Sequence, residues 1–251
     1  MSLPIYDGWT WSHSRITLFE QCPYAFALKY IYGEECEQSN FYSGFGSYMH
    51  RIHELFYNGD LKSEDLVPYY IEHFSEIGSH KQRTKYFLDG LNYLEGGIPI
   101  IPSSSSIVGV EKKLMFKVGE YDFTGIIDLL YRNDDETLTI VDHKSHTLSP
   151  RSNKKKPTAS DRELDEYLKQ LYIYAHAVRQ LGLGNVQTLT FNCFRGSQIV
   201  SERYSEAKEN DAVEWAVNTI KKIENTTMFY PNDDWFFCHN LCDTRGVCEY
   251  I

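Results

Sequence analysis

The chain has 251 residues, 42% of them hydrophobic, and a formal net charge of −10 at pH 7. This is enough apolar material for a packed core, it excludes global disorder, and the length fits one large domain. No run of about 18 apolar residues is present, which excludes a membrane-spanning helix. The start, MSLPIYDGWTWSHS, lacks the basic and apolar regions of a secretion signal, so a cytoplasmic protein is expected.

In chain order, Ser14 to Gln21 reads as a short helix with Ile16, Leu18 and Phe19 apolar. Pro23 interrupts it, and Tyr24 to Tyr32 continues as a second short helix. Gly44 to Tyr57 is helical in pattern, with Tyr48, Ile52, Leu55 and Phe56 expected on a buried stripe. Further helices are expected over Leu66 to Phe74 and Thr84 to Tyr93. After Pro99 the character changes. Ile107 to Val118, Tyr121 to Tyr131 and Leu138 to Lys144 read as three consecutive antiparallel strands, turning at Gly119-Glu120 and at Asn133 to Glu136. Ser149 to Ala159 is a polar loop. Ser160 is expected to cap the next helix, with Glu163 completing a capping box, and that helix runs to about Gln180. Strands are expected over Val186 to Phe194 and Gln198 to Tyr204, then a long helix over Glu206 to Asn225. The whole is expected as a single α/β domain over 1–251. Residues 1–100 form a mainly helical portion, 101–205 a sheet core, and 206–251 a helix with a Cys-rich tail.

The chemistry concentrates in Gly125-Ile-Ile-Asp128 and Ile140-Val-Asp142-His-Lys144. Residues two apart on a strand share a face, so Asp142 and Lys144 point one way and His143 the other. A hairpin turning about Asp135 would set Asp128 opposite Asp142, although a slip of one residue would part them. Charges in such apolar strands are costly unless paired or metal-bound. Two carboxylates and an ammonium suit phosphodiester hydrolysis, with oxygen ligands holding Mg²⁺ or Mn²⁺. The bland alternative is an Asp–Lys ion pair. An acidic chain is not an obvious partner for nucleic acid. Arg151, Lys154, Lys155 and Lys156 supply a local basic segment, either a phosphate contact or a solvated loop.

These pieces, in order, resemble the PD-(D/E)XK nuclease superfamily and specifically its RecB-like branch, which includes CRISPR-associated and phage exonucleases with an iron–sulfur cluster. The resemblance rests on Ser12-x-Ser14-Arg-Ile, Cys22-Pro-Tyr-Ala-Phe-Ala-Leu-Lys-Tyr30, Gly46-x-x-x-His50-x-x-x-Glu54, Gly125-Ile-Ile-Asp128, Asp142-His-Lys144-Ser145, Gln170-Leu-Tyr-Ile-Tyr174 and the three late cysteines. It implies a restriction-endonuclease-like core, a central mixed sheet flanked by helices. It also implies His50, Asp128, Asp142 and the His143 backbone carbonyl as metal ligands, Lys144 as the catalytic lysine, and Gln170 and Tyr174 as residues bordering the site. Glu111 is a further candidate carboxylate, while the side chains of His53 and His143 are expected to be structural. The implied substrate is DNA, as ends or single strands, and exonuclease activity is favoured. A structure-specific endonuclease and an inactive DNA-binding or assembly module remain open. No Gly-x-x-x-x-Gly-Lys-Ser/Thr loop is present, so a helicase, or a recombination or CRISPR partner, would be a separate protein.

Six cysteines occur, three of them within the last fourteen residues. Without a secretion signal, clustered thiols read better as metal ligands than as disulfides. The resemblance implies that Cys22, Cys238, Cys242 and Cys248 hold a [4Fe–4S] cluster, with structural zinc or reduced, unliganded thiols as the alternatives. The spacing Cys238-x₃-Cys242 departs from the two-residue gap more usual in the family. Cys36 and Cys193 read as free thiols.

Overall fold

A computed structural model describes residues 6–34 and 41–251; Cys36 lies outside the described residues. Helices α1 (His13–Gln21) and α2 (Pro23–Tyr30) meet at Cys22, whose extended backbone ends one helix and caps the next, with Pro23 at the first helical position. Helices α3 (Phe41–Tyr57), α4 (Leu66–His73) and α5 (Arg83–Glu95) follow. Strands β1 (Ile107–Val118), β2 (Tyr121–Arg132) and β3 (Leu138–Lys144) come next, then α6 (Ala159–Gln180), β4 (Val186–Cys193), β5 (Gln198–Arg203) and α7 (Glu206–Glu224).

The five strands lie in the order β1-β2-β3-β4-β5. β1, β2 and β3 pair antiparallel, β3 and β4 parallel, and β4 and β5 antiparallel. The parallel pair needs a crossover, which α6 supplies. One face of the sheet packs on α1, α2, α6 and α7, through Ile127, Leu130, Ile140, Phe191 and Leu171. The other packs on α3, α4 and α5, through Leu129, Val141, Phe45, Met49 and Tyr70. This is the expected α/β architecture, a mixed sheet between helices. None of the described helices is long and apolar enough to cross a membrane.

Two local expectations change. On α3 the buried stripe is Phe45, Met49, Ile52, His53 and Tyr57, with Tyr48, Leu55 and Phe56 at its flanks. His53 is the reason: a histidine fully paired inside the core moves the stripe by one position. The capping box of α6 is built on Thr158 and Asp161, not on Ser160 and Glu163. Asp161 also accepts from the Ser152 N–H and hydroxyl, so the cap ties the preceding loop to the helix.

Candidate active site and cysteine cluster

The turn between β2 and β3 sets the register. Asn133 N–H donates to the Thr137 carbonyl, and Asp135 accepts from the Thr137 N–H. Leu130 then pairs with Ile140 and Leu129 with Val141, a register whose next step sets Asp128 against Asp142. Both aspartates are buried, as is His143 between Asp142 and Lys144.

Strand alternation breaks here. Ile127 belongs to the core under α6 whereas Leu129, two residues on, belongs to the core under α3. Across the ladder, Glu111 adopts a left-handed backbone at φ 44° between Val110, which faces Leu129, and Lys112, which faces Ile127. A non-glycine residue in that region is strained, and such strain persists only where its surroundings hold it. Glu111 and Asp128 both lie beside His50 on α3, and Asp142 pairs with Lys144, which reaches Gln170 on α6.

His50 Nδ1 lies 3.5 Å from Glu111 Oε1 and 3.6 Å from Asp128 Oδ1. Its other nitrogen, Nε2, lies 3.1 Å from the His143 carbonyl oxygen. A carbonyl only accepts, so Nε2 carries a proton and Nδ1 is the atom that meets the acids. His143 N–H donates to Asp128 Oδ2 at 2.6 Å. One ligand atom from each of His50, Glu111 and Asp128 lies within 4.8 Å of the other two. Imidazole nitrogen and carboxylate oxygen are the donors a hard divalent cation takes, so these residues fit such an ion.

Electrostatics point the same way. Burial and the neighbouring Asp142 push the Asp128 carboxyl up to about 7, against the opposing pull of His50 and the His143 N–H. Burial lowers the His50 imidazole, but Asp128, Glu111 and Asp142 outweigh it and raise the group to about 9. Lys144 is likewise opposed by burial and raised overall by Asp142, so it stays charged. Its Nζ lies 2.8 Å from Asp142 Oδ2 and donates to Gln170 Oε1 at 3.0 Å. Gln170 Nε2 donates to the Tyr174 hydroxyl at 3.0 Å. Tyr174 in turn packs on Gly125: a Cβ there would stand 2.5 Å from its ring. The two motifs 125–128 and 170–174 are thus one contact.

The structure therefore brings together His50, Asp128, Asp142, Lys144, Gln170 and Tyr174, with Glu111 added and the His143 carbonyl turned to His50. Glu54 is outside this group, paired with Arg51 at 2.7 Å. Arg151 is not free to meet phosphate: it is held by Asp165 at 2.6 Å and Glu202 at 3.0 Å. Lys154, Lys155 and Lys156 are exposed. The residues that sequence reasoning missed are Tyr93 and Asn192. Both are buried and hydrogen-bonded to the histidines behind the site. The one signal for Asn192 was an amide inside the otherwise apolar run Leu189-Thr-Phe191-Asn192-Cys193-Phe194.

Cys22, Cys238, Cys242 and Cys248 are free thiols. Cys22 and Cys242 share an apolar cluster with Ala25. Burial raises the Cys238 thiol, and Cys22, Cys242 and Cys248 raise it further. Cys193 sits apart in the core, where burial pushes its thiol up to about 11.

A sheet hairpin that gathers acids and a lysine against a helix-borne histidine is built for phosphodiester chemistry, and topology and site together define a restriction-endonuclease-like nuclease. A family model of the PD-(D/E)XK nuclease superfamily matches residues 10–249, and the chain belongs to that superfamily. A crystal structure from Eubacterium rectale, of a protein with a provisional exonuclease name, is 15% identical. It covers 95% of this chain and 87% of its own, with a TM-score of 0.54, a likeness of fold. The crystal structure of SSO0001 is 21% identical over 75% of this chain and 84% of its own, with a TM-score of 0.33 too low to argue from. No curated protein matches the sequence.

Proposed function

We propose that this nuclease is a divalent-metal-dependent deoxyribonuclease, using Mg²⁺ or Mn²⁺ and acting as an exonuclease on DNA ends or single strands. The observation that carries the reading is the approach of His50, Glu111 and Asp128 within 4.8 Å, beside the Asp142–Lys144 pair. His50, Glu111 and Asp128 would hold the ion, with Asp142 as the adjoining oxygen donor, while the His143 carbonyl, expected as a ligand, accepts from His50 Nε2 and so orients that ring. A bound divalent ion supplies Lewis acidity at a phosphate and a water acidic enough to attack at neutral pH. Lys144 keeps its proton, and Gln170 fixes its direction, so it presents a positive donor to the attacking water or a phosphate oxygen. Tyr174 fixes Gln170. The preference for ends is supported by the family resemblance and by the name of the Eubacterium rectale protein.

The test uses end-labelled linear and circular single-stranded DNA with Mn²⁺, with EDTA, and with Asp142→Ala. Degradation of the linear strand alone, lost with EDTA and reduced at least about 10³-fold in the variant, is expected. Cutting of the circle would make the protein an endonuclease. DNA binding without cleavage would make it an inactive binding module, and activity surviving in Asp142→Ala would overturn the site.

We further propose that Cys22, Cys238, Cys242 and Cys248 hold a [4Fe–4S] cluster, zinc being the alternative. Four thiolates are the usual ligand count for either. An iron-bearing, brown protein after anaerobic purification is expected; zinc without iron would select the alternative.

A further inference from the structure

Behind the acid cluster lies a buried chain of polar groups that the nuclease chemistry does not use. His53 Nδ1 is 2.8 Å from the Met49 carbonyl oxygen, and its Nε2 is 2.9 Å from the Tyr93 hydroxyl. Asn192 Nδ2 is 2.7 Å from that hydroxyl and 3.1 Å from His143 Nδ1. His53, Tyr93, Asn192 and His143 are all at least nine-tenths buried. Asn192 and His143 are also direct partners in the parallel ladder of β3 and β4.

The direction of every bond in this chain follows from its far end. The Met49 carbonyl can only accept, so His53 carries its proton on Nδ1. A second proton on Nε2 would place a charge in the apolar core, so Nε2 accepts. The Tyr93 hydroxyl then donates to His53 and must itself accept from Asn192. Asn192 is thereby oriented with its NH₂ inward, and its second N–H donates to His143 Nδ1. His143 consequently holds its proton on Nε2. With the amide reversed, its oxygen would have to take the Tyr93 proton, and the lone pairs of Tyr93 and His53 would face each other.

We infer that Asn192 is a positioning residue of the active site. It fixes the ring tautomer of His143 and thereby the orientation of a residue whose two backbone groups both serve the site. The N–H of His143 donates to Asp128 Oδ2, and its carbonyl faces His50 Nε2. A rotated or charged His143 ring would pull that peptide out of line and move Asp128 and His50 relative to each other. Within this relay, His143 Nε2 and Asn192 Oδ1 are buried without a protein partner.

The first measurement is ¹⁵N NMR of histidine-labelled, unaltered protein, free of metal. His143 on the Nε2–H tautomer supports the assignment, and the Nδ1–H tautomer overturns it whether or not any variant folds. The second is Mn²⁺ binding by calorimetry to Asn192→Asp, which keeps the shape and replaces the donor with an acceptor. The expected result is a change of His143 tautomer with an affinity on the order of tenfold weaker or more, the size found when groups supporting metal ligands are lost. Affinity within about twofold of the unaltered protein would overturn the positioning role. This second arm rests on the metal-dependent reading. An unaltered protein that binds no Mn²⁺ would refute that reading and leave the relay to be decided by the tautomer.

Discussion

His50 stands between two carboxylates and a carbonyl, and in the metal-free protein this raises its imidazole to about 9. At neutral pH the Nδ1 proton therefore occupies the position a cation would take. Binding must expel that proton, so Mn²⁺ affinity is expected to rise about tenfold per pH unit between 7 and 9 and to level off above. Below pH 7 the slope steepens, because Asp128, raised to about 7 by burial and by Asp142, must also lose a proton. Calorimetry at a series of pH values checks the sign, and His50→Ala should flatten the upper limb. Glu111 offers a second test at this scale. Its backbone strain at φ 44° stabilises nothing by itself. Glu111→Gly should therefore raise metal-free stability by about 1 kcal/mol while weakening Mn²⁺ binding on the order of tenfold. A fall in stability with Mn²⁺ affinity unchanged, by melting and calorimetry, would show that Glu111 is only a structural partner of His50.

Between elements, the decisive contact is β2 against α6. Gly125 lets Tyr174 approach so closely that an added Cβ would stand 2.5 Å from its ring. Gly125→Ala should push the ring aside and break the chain Tyr174–Gln170–Lys144. The expected result is a kcat loss above about tenfold with a stability cost of roughly 1–3 kcal/mol. An unchanged kcat would show that Lys144 needs no such support. Gly125 and Tyr174 were both legible in the sequence as motif positions, but their contact was not, because spacing within one element says nothing of the distance to another. The strands were legible because alternation and turn residues reinforce each other, and the Asp128–Asp142 register followed from the turn alone. The faces were less so. Glu111 and Asp128 sit where the alternation slips, which a period of two cannot foretell. The α3 stripe and the α6 cap were misread for related reasons: a polar His53 took a core position, and Asp161 found partners in the preceding loop.

Across the whole molecule, the chain ends raise a question of what holds them. The segment after α7 buries little: Trp235, Phe236 and Tyr250 are 66%, 55% and 59% exposed, and Cys242 is its buried apolar residue among those described. Its polar ties to α1 and α2 include the exposed Lys29–Asp243 pair at 3.4 Å, the Tyr24–Glu249 hydrogen bond at 2.9 Å, the Tyr24 N–H donating to the Tyr230 carbonyl at 3.2 Å and the Asn232 amide donating to the Gln21 carbonyl at 2.7 Å. Exposed contacts of this kind contribute about 1 kcal/mol or less each. Arg151 gives the same lesson in reverse, since a residue that reads from sequence as a free cation is locked to Asp165 and Glu202. A group held by the thiols would be a strong tether, because one bound by Cys22 and the three late cysteines would join segments more than two hundred residues apart and remove that freedom from the unfolded chain. Cys22→Ser should lower the melting temperature by about 5 °C or more, reduce the bound iron or zinc, and open the tail to protease beyond Asn225 while the sheet core stays resistant. The core should also keep its Mn²⁺ affinity, since Cys22 contacts Ala25 and Asn232 whereas His50 meets Glu111, Asp128 and His143. Equal metal content and equal proteolysis in the variant would mean that the tail is held by its side-chain contacts alone.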